Sequence, residues 1–408
     1  MFIQRIIPVV TGPWIGFSLL SVFSVVIYSR VGKIVAGRPG MIIIGLVSAV
    51  ASAPVLISSD MLNTAIVGFS SSLVFLATAK YLKENNKFTW ASTTGFFVGL
   101  SVTFHFQAVG LFAIPLLIVL VNKDPFIKRV KTALSFGLGI IVSFLPLIIF
   151  DIARNGIWIK SVYQYYTVGV KKFYVPLRWL TELRDFWPQQ FGNVISGIDR
   201  LGYVWLMLGI IAIFWVWRKK KKQNLFWLII GLSFVIQIIL MRYYKGPRSK
   251  EYLVASHGYI ILIVSWILIN FYKINKAVGI GLTASLIIIS SISNYQFIKN
   301  HSSQAKDILL IKKELDAQIN DNVSIYNFHD SNMITFPMFY LYYHQSRVED
   351  SGTPLGFCDK KHFSCPENHL IENERYRTYL LNDKNISVFE KVSDKEIFEI
   401  LMVNYKDN

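Results

Sequence analysis

Acidic side chains are scarce in the first three-quarters of this chain. Residues 1–298 hold 29 Lys and Arg but only eight carboxylates: Asp60, Glu84, Asp124, Asp151, Glu182, Asp185, Asp199 and Glu251. Charge of both signs together makes up 16% of the 408 residues, against roughly 25% in soluble domains. A net charge of +17 invites a nucleic-acid reading, but its distribution argues against one. After residue 298 the chain holds 13 basic and 17 acidic residues, so the whole excess lies earlier, in short stretches between apolar runs. No nucleic-acid partner is expected. No internal repeat or low-complexity tract stands out either, which leaves out a solenoid.

Apolar runs fill the space that charge vacates. Hydrophobic residues make up 53% of the chain and its mean hydropathy is +0.43. Runs of about 18 apolar residues mark membrane-crossing helices. They recur to about residue 298, at 10–29, 40–57, 61–80, 90–105, 107–122, 132–153, 200–217, 224–241, 253–271 and 277–298. The fourth and fifth are short and are expected to form a hairpin turning near His105. The first run is long and no convincing small-residue cleavage site follows it, so no cleaved leader is expected. The expectation is a mainly α, polytopic membrane bundle of about ten spans over 1–298.

Lys and Arg collect in cytoplasmic loops and so fix orientation. The loops at 30–38, 80–87, 123–131, 218–222 and 272–276 are basic and fall on one side, which is assigned to the cytoplasm. The N-terminus, segment 154–199 and everything after 298 then lie outside, in a multi-pass cell-membrane protein. One short outer loop breaks the pattern. Arg242-Tyr-Tyr-Lys-Gly-Pro-Arg-Ser-Lys-Glu-Tyr252 carries four basic residues against Glu251 where topology requires none. Snorkelling toward phospholipid headgroups is one reading of this cluster. Specific recognition of a lipid phosphate is the other. Gly246-Pro247 favours a turn that holds Arg248 and Lys250 near the membrane plane, and Arg can grip a phosphate through two parallel hydrogen bonds.

Segment 154–199 is rich in aromatics, with Tyr163, Tyr165, Tyr166, Phe173, Tyr174, Trp179, Phe186 and Trp187. These rings suit the headgroup layer, or else the wall or lid of a substrate cavity. Residues 299–408 change character and are expected to form a small extracytoplasmic α/β domain. A helix is expected over Ala305–Ile319, a strand over Val323–Phe328, continuing helix at Thr335–Tyr343, then Ser346–Val348 and a strand near Ile386–Phe389. Cys358 and Cys365 fit a disulfide, free thiols, or a zinc set with His362 and His369, although Pro366 interrupts the helix that would align the last. Three Asn-X-Ser triplets, at Asn300, Asn322 and Asn385, are read as chance matches to a glycosylation signal.

Two further positions carry chemistry in an apolar setting. Asp60 stands in Ile57-Ser-Ser-Asp-Met-Leu-Asn63 at an outer helix start, as a cap for free N–H groups or as an oxygen ligand for Mg²⁺ or Mn²⁺. His105, in Val102-Thr-Phe-His-Phe-Gln-Ala108, is either a buried histidine satisfied by a carbonyl or a contact for a phosphate or sugar hydroxyl, with Gln107 beside it.

Taken in order, these stretches resemble integral-membrane GT-C glycosyltransferases of the protein O-mannosyltransferase and aminoarabinose-transferase type. The resemblance rests on the helix and basic turn from Arg5 through Gly37, with Val26-Ile-Tyr-Ser-Arg30-Val-Gly-Lys33, and on Ala53-Pro54 through Asp60. It continues in Gly99-Leu-Ser-Val-Thr-Phe-His105 and in Arg248-Ser-Lys-Glu-Tyr252-Leu253. It implies transfer of a sugar from a polyprenyl-phosphate carrier to an acceptor at the outer face, with inversion. By the same resemblance Arg248, Lys250 and Tyr252 hold the carrier phosphate, while Asp60 and His105 line the acceptor or metal site. The family's main catalytic carboxylate lies on a loop before its second helix, and Met1–Gly12 contains no acid. The expectation is therefore a truncated sequence or a misplaced start, with a separately encoded first part or lost catalysis as the alternatives. The contrasting reading is a non-catalytic transporter or carrier-binding accessory protein. A third is an enzyme of another lipid-linked sugar class, such as a ligase or polymerase.

Overall fold

A computed structural model describes residues 12–58, 63–84, 87–121, 124–164, 178–218, 225–243, 253–300, 304–327, 351–360, 365–372, 376–381 and 389–391, with Met338, Tyr342 and Val348 besides. The chain divides into two compact units, one over Trp14–Asn300 and one over His301–Asn408 with Met1–Pro13.

The larger unit is helical. Its first helix, α1 (Gly12–Val50), reverses at Gly37, whose φ of 71° favours glycine. The two arms then run back along each other. Ser29 Oγ donates to Met41 O at 3.1 Å, a pair that about 18 Å of straight helix would otherwise separate. Gly32 and Gly40 face each other so closely that a Cβ on Gly32 would stand 2.3 Å from Gly40 O. The first two expected spans therefore form one tight hairpin, extended by α2 (Ser52–Ile57).

Helices α3 (Asn63–Lys83), α4 (Lys87–Phe104), α5 (Ala113–Val121) and α6 (Phe126–Ala153) follow, with a 3-10 turn at Phe106–Phe112 leading into α5. Helix α4 carries Gly95-Phe-Phe-Val-Gly99 against Phe136, Gly139 and Ser143 of α6. A Cβ on Gly95 would meet Phe136 O at 2.1 Å, and one on Gly139 would meet Ser92 O at 2.0 Å. Small residues let two backbones touch where lipid offers no hydrophobic drive. The rest of α6 is inverted relative to a soluble helix. Thr132, Gly139, Ser143 and Asp151 are buried, while Leu134, Leu138, Ile141, Ile149 and Ile152 are exposed. Apolar outside and polar inside is the pattern of a helix solvated by hydrocarbon.

After α7 (Ile157–Gln164) come a short turn α8 (Arg178–Thr181), a π-helical turn Glu182–Phe186 and α9 (Trp187–Ser196). Four long helices complete the unit: α10 (Leu201–Arg218), α11 (Leu225–Tyr243), α12 (Val254–Ile274) and α13 (Lys276–Asn300). Helix α12 is the central one, with buried side chains from Val254 to Ile269.

Among the described residues six helices are long and apolar enough to cross a membrane: α1, α6, α10, α11, α12 and α13. Each of the ten expected stretches holds helix, but ten independent spans are not established. α1 counts once although it contains two arms, and the helical stretch Phe106–Val121 is short. α3 and α4 are long but diluted by hydroxyls. Ser70, Ser71, Ser72, Thr78, Thr94 and Ser101 are buried. Several of these hydroxyls are satisfied locally: Ser71 Oγ donates to Gly68 O at 3.0 Å and Thr94 Oγ1 to Trp90 O at 2.8 Å. These are interior helices whose polar groups face protein rather than lipid.

The smaller unit has helix α14 (Gln304–Gln318) and a five-stranded sheet of order β3-β4-β2-β1-β5. β1 (Val323–Asn327) runs parallel to β2 (Thr353–Asp359), while β3 (Ile371–Glu372), β4 (Tyr376–Leu380) and β5 (Glu390–Lys391) pair antiparallel. Val348 bridges to Val323, at the place where a strand was expected. Cys358 and Cys365 are disulfide-bonded, which corrects the free-thiol and zinc readings because no thiolate is left to ligate. Cys358 packs with Tyr379, Leu381 and Phe389 in the core of this unit. His369 turns instead to Glu372, with Nε2 at 2.9 Å from Oε2, and His362 lies outside the described residues.

Candidate functional site

Of the residues singled out in the sequence, Asp60, Arg248, Lys250 and Tyr252 lie outside the described residues. His105 is described. It is half-buried and caps the 3-10 turn, its Nδ1 accepting from Gln107 N across a long 3.4 Å. Gln107 O in turn accepts from Gln237 Nε2 of α11 at 3.4 Å. A Cβ on Gly110 would overlap Gln237 Oε1, so a larger residue there would displace the Gln237 side chain. His105 thus caps the corner of the short hairpin, and the Gln107 carbonyl ties that corner to α11. His105 does not line the cavity described next.

That cavity, of about 50 Å³, is formed by both arms of α1 with α2, α3 and the first turns of α12. Ser21, Ser24, Tyr28, Ser48 and His257 supply its polar groups, and Pro54, Ile57, Phe69 and Val254 much of its apolar wall. A volume of this size holds a few waters. Its position is the informative part. Pro54 and Ile57 immediately precede the segment containing Asp60, and Gly68 and Phe69 follow it. Val254 and His257 follow the segment containing Arg248–Tyr252. The helix ends that anchor these two separate sequence segments converge on one cavity.

His257 was not singled out from the sequence, yet it is 3% exposed in the first turns of α12. The available signal was an ionisable side chain inside an apolar run, which marks a functional candidate in a membrane bundle. The neighbouring Gly258 is required by packing. A Cβ there would come within 2.5 Å of both the Phe75 ring and Tyr28 Oη. From Tyr28 a chain of ring contacts runs through Phe75 (6.3 Å), Tyr259 (5.1 Å) and Phe234 (5.7 Å) to Trp187 (5.4 Å) on α9.

The aromatic segment 154–199 splits into two parts. Helix α7 exposes Ile157, Ile159 and Tyr163, as an interfacial anchor does. Asp151 fixes its start, Oδ1 accepting from Trp158 N at 2.7 Å and Ile159 N at 3.3 Å. Helix α9 instead buries Trp187, Phe191, Val194 and Ile195 against its neighbours, which corrects a headgroup placement for Trp187. Ser290 Oγ of α13 donates to Ile195 O at 2.9 Å and pins this inserted helix. Residues 165–177, with Tyr165, Tyr166, Phe173 and Tyr174, lie outside the described residues. At the end of α11, Arg242 is fully buried with its guanidinium 5.5 Å from the Trp179 ring centre.

Compared with protein-family models, curated proteins and solved structures, the chain matches none.

Proposed function

We propose that this chain belongs to a membrane glycosyltransferase that takes a sugar from a polyprenyl-phosphate carrier and delivers it at the outer membrane face. The observation that supports this most is the convergence of the helix ends flanking Asp60 and Arg248–Tyr252 on one cavity lined by His257 and Tyr28. Ser58 and Leu253, the nearest described residues, are two residues from Asp60 and one residue from Tyr252.

In this reading Arg248, Lys250 and Tyr252 bind the carrier phosphate. The acceptor hydroxyl or amine attacks the anomeric carbon opposite the phosphate and a base takes its proton. The bond from that carbon to the phosphate oxygen breaks, and its electron pair leaves with the carrier phosphate. Cationic side chains stabilise the charge that develops there. Among the described residues no group of three or more His, Cys, Asp or Glu is placed to hold a metal. A divalent Mg²⁺ or Mn²⁺ ion would therefore rely on the Asp60 carboxylate together with substrate phosphate oxygens and water, a donor set such ions accept. When bound, it would offset phosphate charge.

A second reading is carrier binding without turnover, as an accessory protein. Transfer from a labelled polyprenyl-phosphate sugar, assayed with the full chain in nanodiscs, separates the two. Turnover that Arg248→Ala and Asp60→Ala each abolish at unchanged expression supports the enzyme. Saturable binding of the carrier without turnover supports the accessory protein, and normal turnover in both variants removes the site assignment.

A further inference from the structure

Helix α13 turns Ser290, Ser293 and Asn294, three and four residues apart, toward the bundle. Two of them commit their donors to the ends of other helices. Ser290 Oγ donates to Ile195 O near the end of α9 at 2.9 Å, and Asn294 Nδ2 donates to Val50 O, the last residue of α1, at 3.0 Å. A carbonyl can only accept, so the Asn294 amide must turn its NH2 group to Val50. Its Oδ1 then faces the other way and has no hydrogen-bond partner among the described residues. Ser52 Oγ, on the first residue of α2 and 1% exposed, has none either. An oxygen buried without a partner costs free energy, so two of them side by side call for something to bind.

These oxygens converge. Ser52 follows Val50 by two residues, and Gly197, the left-handed cap of α9, reaches in between Ser52 and Ser293. A Cβ on Gly197 would stand 2.6 Å from Ser293 Oγ and 3.4 Å from Ser52 Oγ, so the two hydroxyls lie within about 6 Å of each other. What the group presents is mostly lone pairs. Asn294 Oδ1 accepts only, while Ser290 Oγ and Val50 O each keep acceptor capacity beyond the bond they make. The C-termini of α1 and α9 add partial negative charge, and α2, six residues long, opposes it with a small dipole. Neutral oxygens at helix C-terminal ends are a donor set that holds Na⁺ inside membrane bundles. Divalent ions take carboxylates, and no Asp or Glu belongs to this group. Gly197 is exposed, which gives the cluster a way in.

We propose that Asn294 Oδ1 and Ser52 Oγ, with Val50 O, Ser290 Oγ and Ser293 Oγ around them, bind one alkali-metal cation, Na⁺ or K⁺, where α1, α2, α9 and α13 meet. The site takes no part in sugar transfer and stands whether or not the chain is a transferase. Thermal unfolding of the full chain in nanodiscs tests it, in NaCl, KCl and choline chloride at equal ionic strength. Wild type gains about 3 °C in Tm, saturably, in at least one of the two alkali salts over choline chloride, and the more effective salt names the ion. Ser52→Ala, which removes no recorded hydrogen bond, and Asn294→Leu each abolish that gain. Ser291→Ala, on the exposed face of the same helix, keeps it. Binding of ²²Na⁺ to the same samples, with K⁺ as competitor, reads the site without unfolding: wild type and Ser291→Ala bind saturably and the other two variants do not. The same Tm for wild type in all three salts, with no saturable ²²Na⁺ binding, overturns the proposal. So does an alkali-salt gain that survives in both Ser52→Ala and Asn294→Leu, because the ion then sits elsewhere.

Discussion

Glu372, on the short edge strand of the C-terminal sheet, accepts from Arg377 Nε at 3.1 Å, bonds Lys360 Nζ and faces His369 Nε2. The hydrogen bond from Lys360, with Arg377 beside it, holds its carboxyl below the ordinary carboxylate value. A carboxylate whose folded pKa is depressed stabilises the protein above its unfolded pKa of roughly 4.3, and that contribution fades as pH falls through the lower folded value. The Tm of wild type should therefore exceed that of Glu372→Gln at pH 7, and the gap should close as pH falls below about 4. A gap of equal size at pH 3 and pH 7 would contradict this. Residues of this kind were opaque in the sequence because their partners come from a strand pairing that local pattern does not reveal. Neither β2 nor β4 was foreseen, and both carry residues central to this unit. His257 was legible in principle, as an imidazole in an apolar run, whereas the burial of Arg242 depended on a helix far away in the chain.

Helices were the most legible elements, since hydrocarbon solvation imposes long apolar runs whatever the tertiary arrangement. The hairpin at Gly37 and the corner at His105 also fall where polar or glycine positions interrupt those runs. Less legible was which helices face lipid, because α3 and α4 bury serines and threonines that look unremarkable in composition. The close crossing of α4 on α6 depends on single hydrogen atoms at Gly95 and Gly139. Gly95→Leu or Gly139→Leu pushes a side chain into a backbone carbonyl about 2 Å away. Each should cost several kcal/mol, beyond the 1–3 kcal/mol typical of ordinary overpacking, because a backbone must move. Thermal unfolding of the detergent-solubilised chain reads this as a large fall in Tm or loss of monodisperse protein. Gly137→Leu on the same helix, where a new Cβ has nothing within 4 Å, is the control and should remain near wild type.

For the whole molecule, the decisive pattern is the placement of charge. Residues 1–298 hold twenty-nine basic and eight acidic residues, and the stretch Arg242–Tyr252 gathers four of the basic ones. The fold adds that the helix ends next to this loop and next to Asp60 meet around His257, a convergence that no single stretch of sequence shows. If the loop recognises a phosphate specifically, loss of Arg248 should matter far more than loss of an equal charge elsewhere. The most direct measurement is saturable binding of polyprenyl phosphate to the full chain in neutral-lipid nanodiscs. Wild type, Arg248→Ala and a Lys220→Ala control in the 218–222 loop are compared. The account predicts that Arg248→Ala weakens binding about tenfold or more, the cost of a lost charge-assisted hydrogen-bond pair, while Lys220→Ala leaves it unchanged. Equal, small losses in both variants would mean diffuse attraction of basic loops to an anionic lipid, and would contradict a built phosphate site.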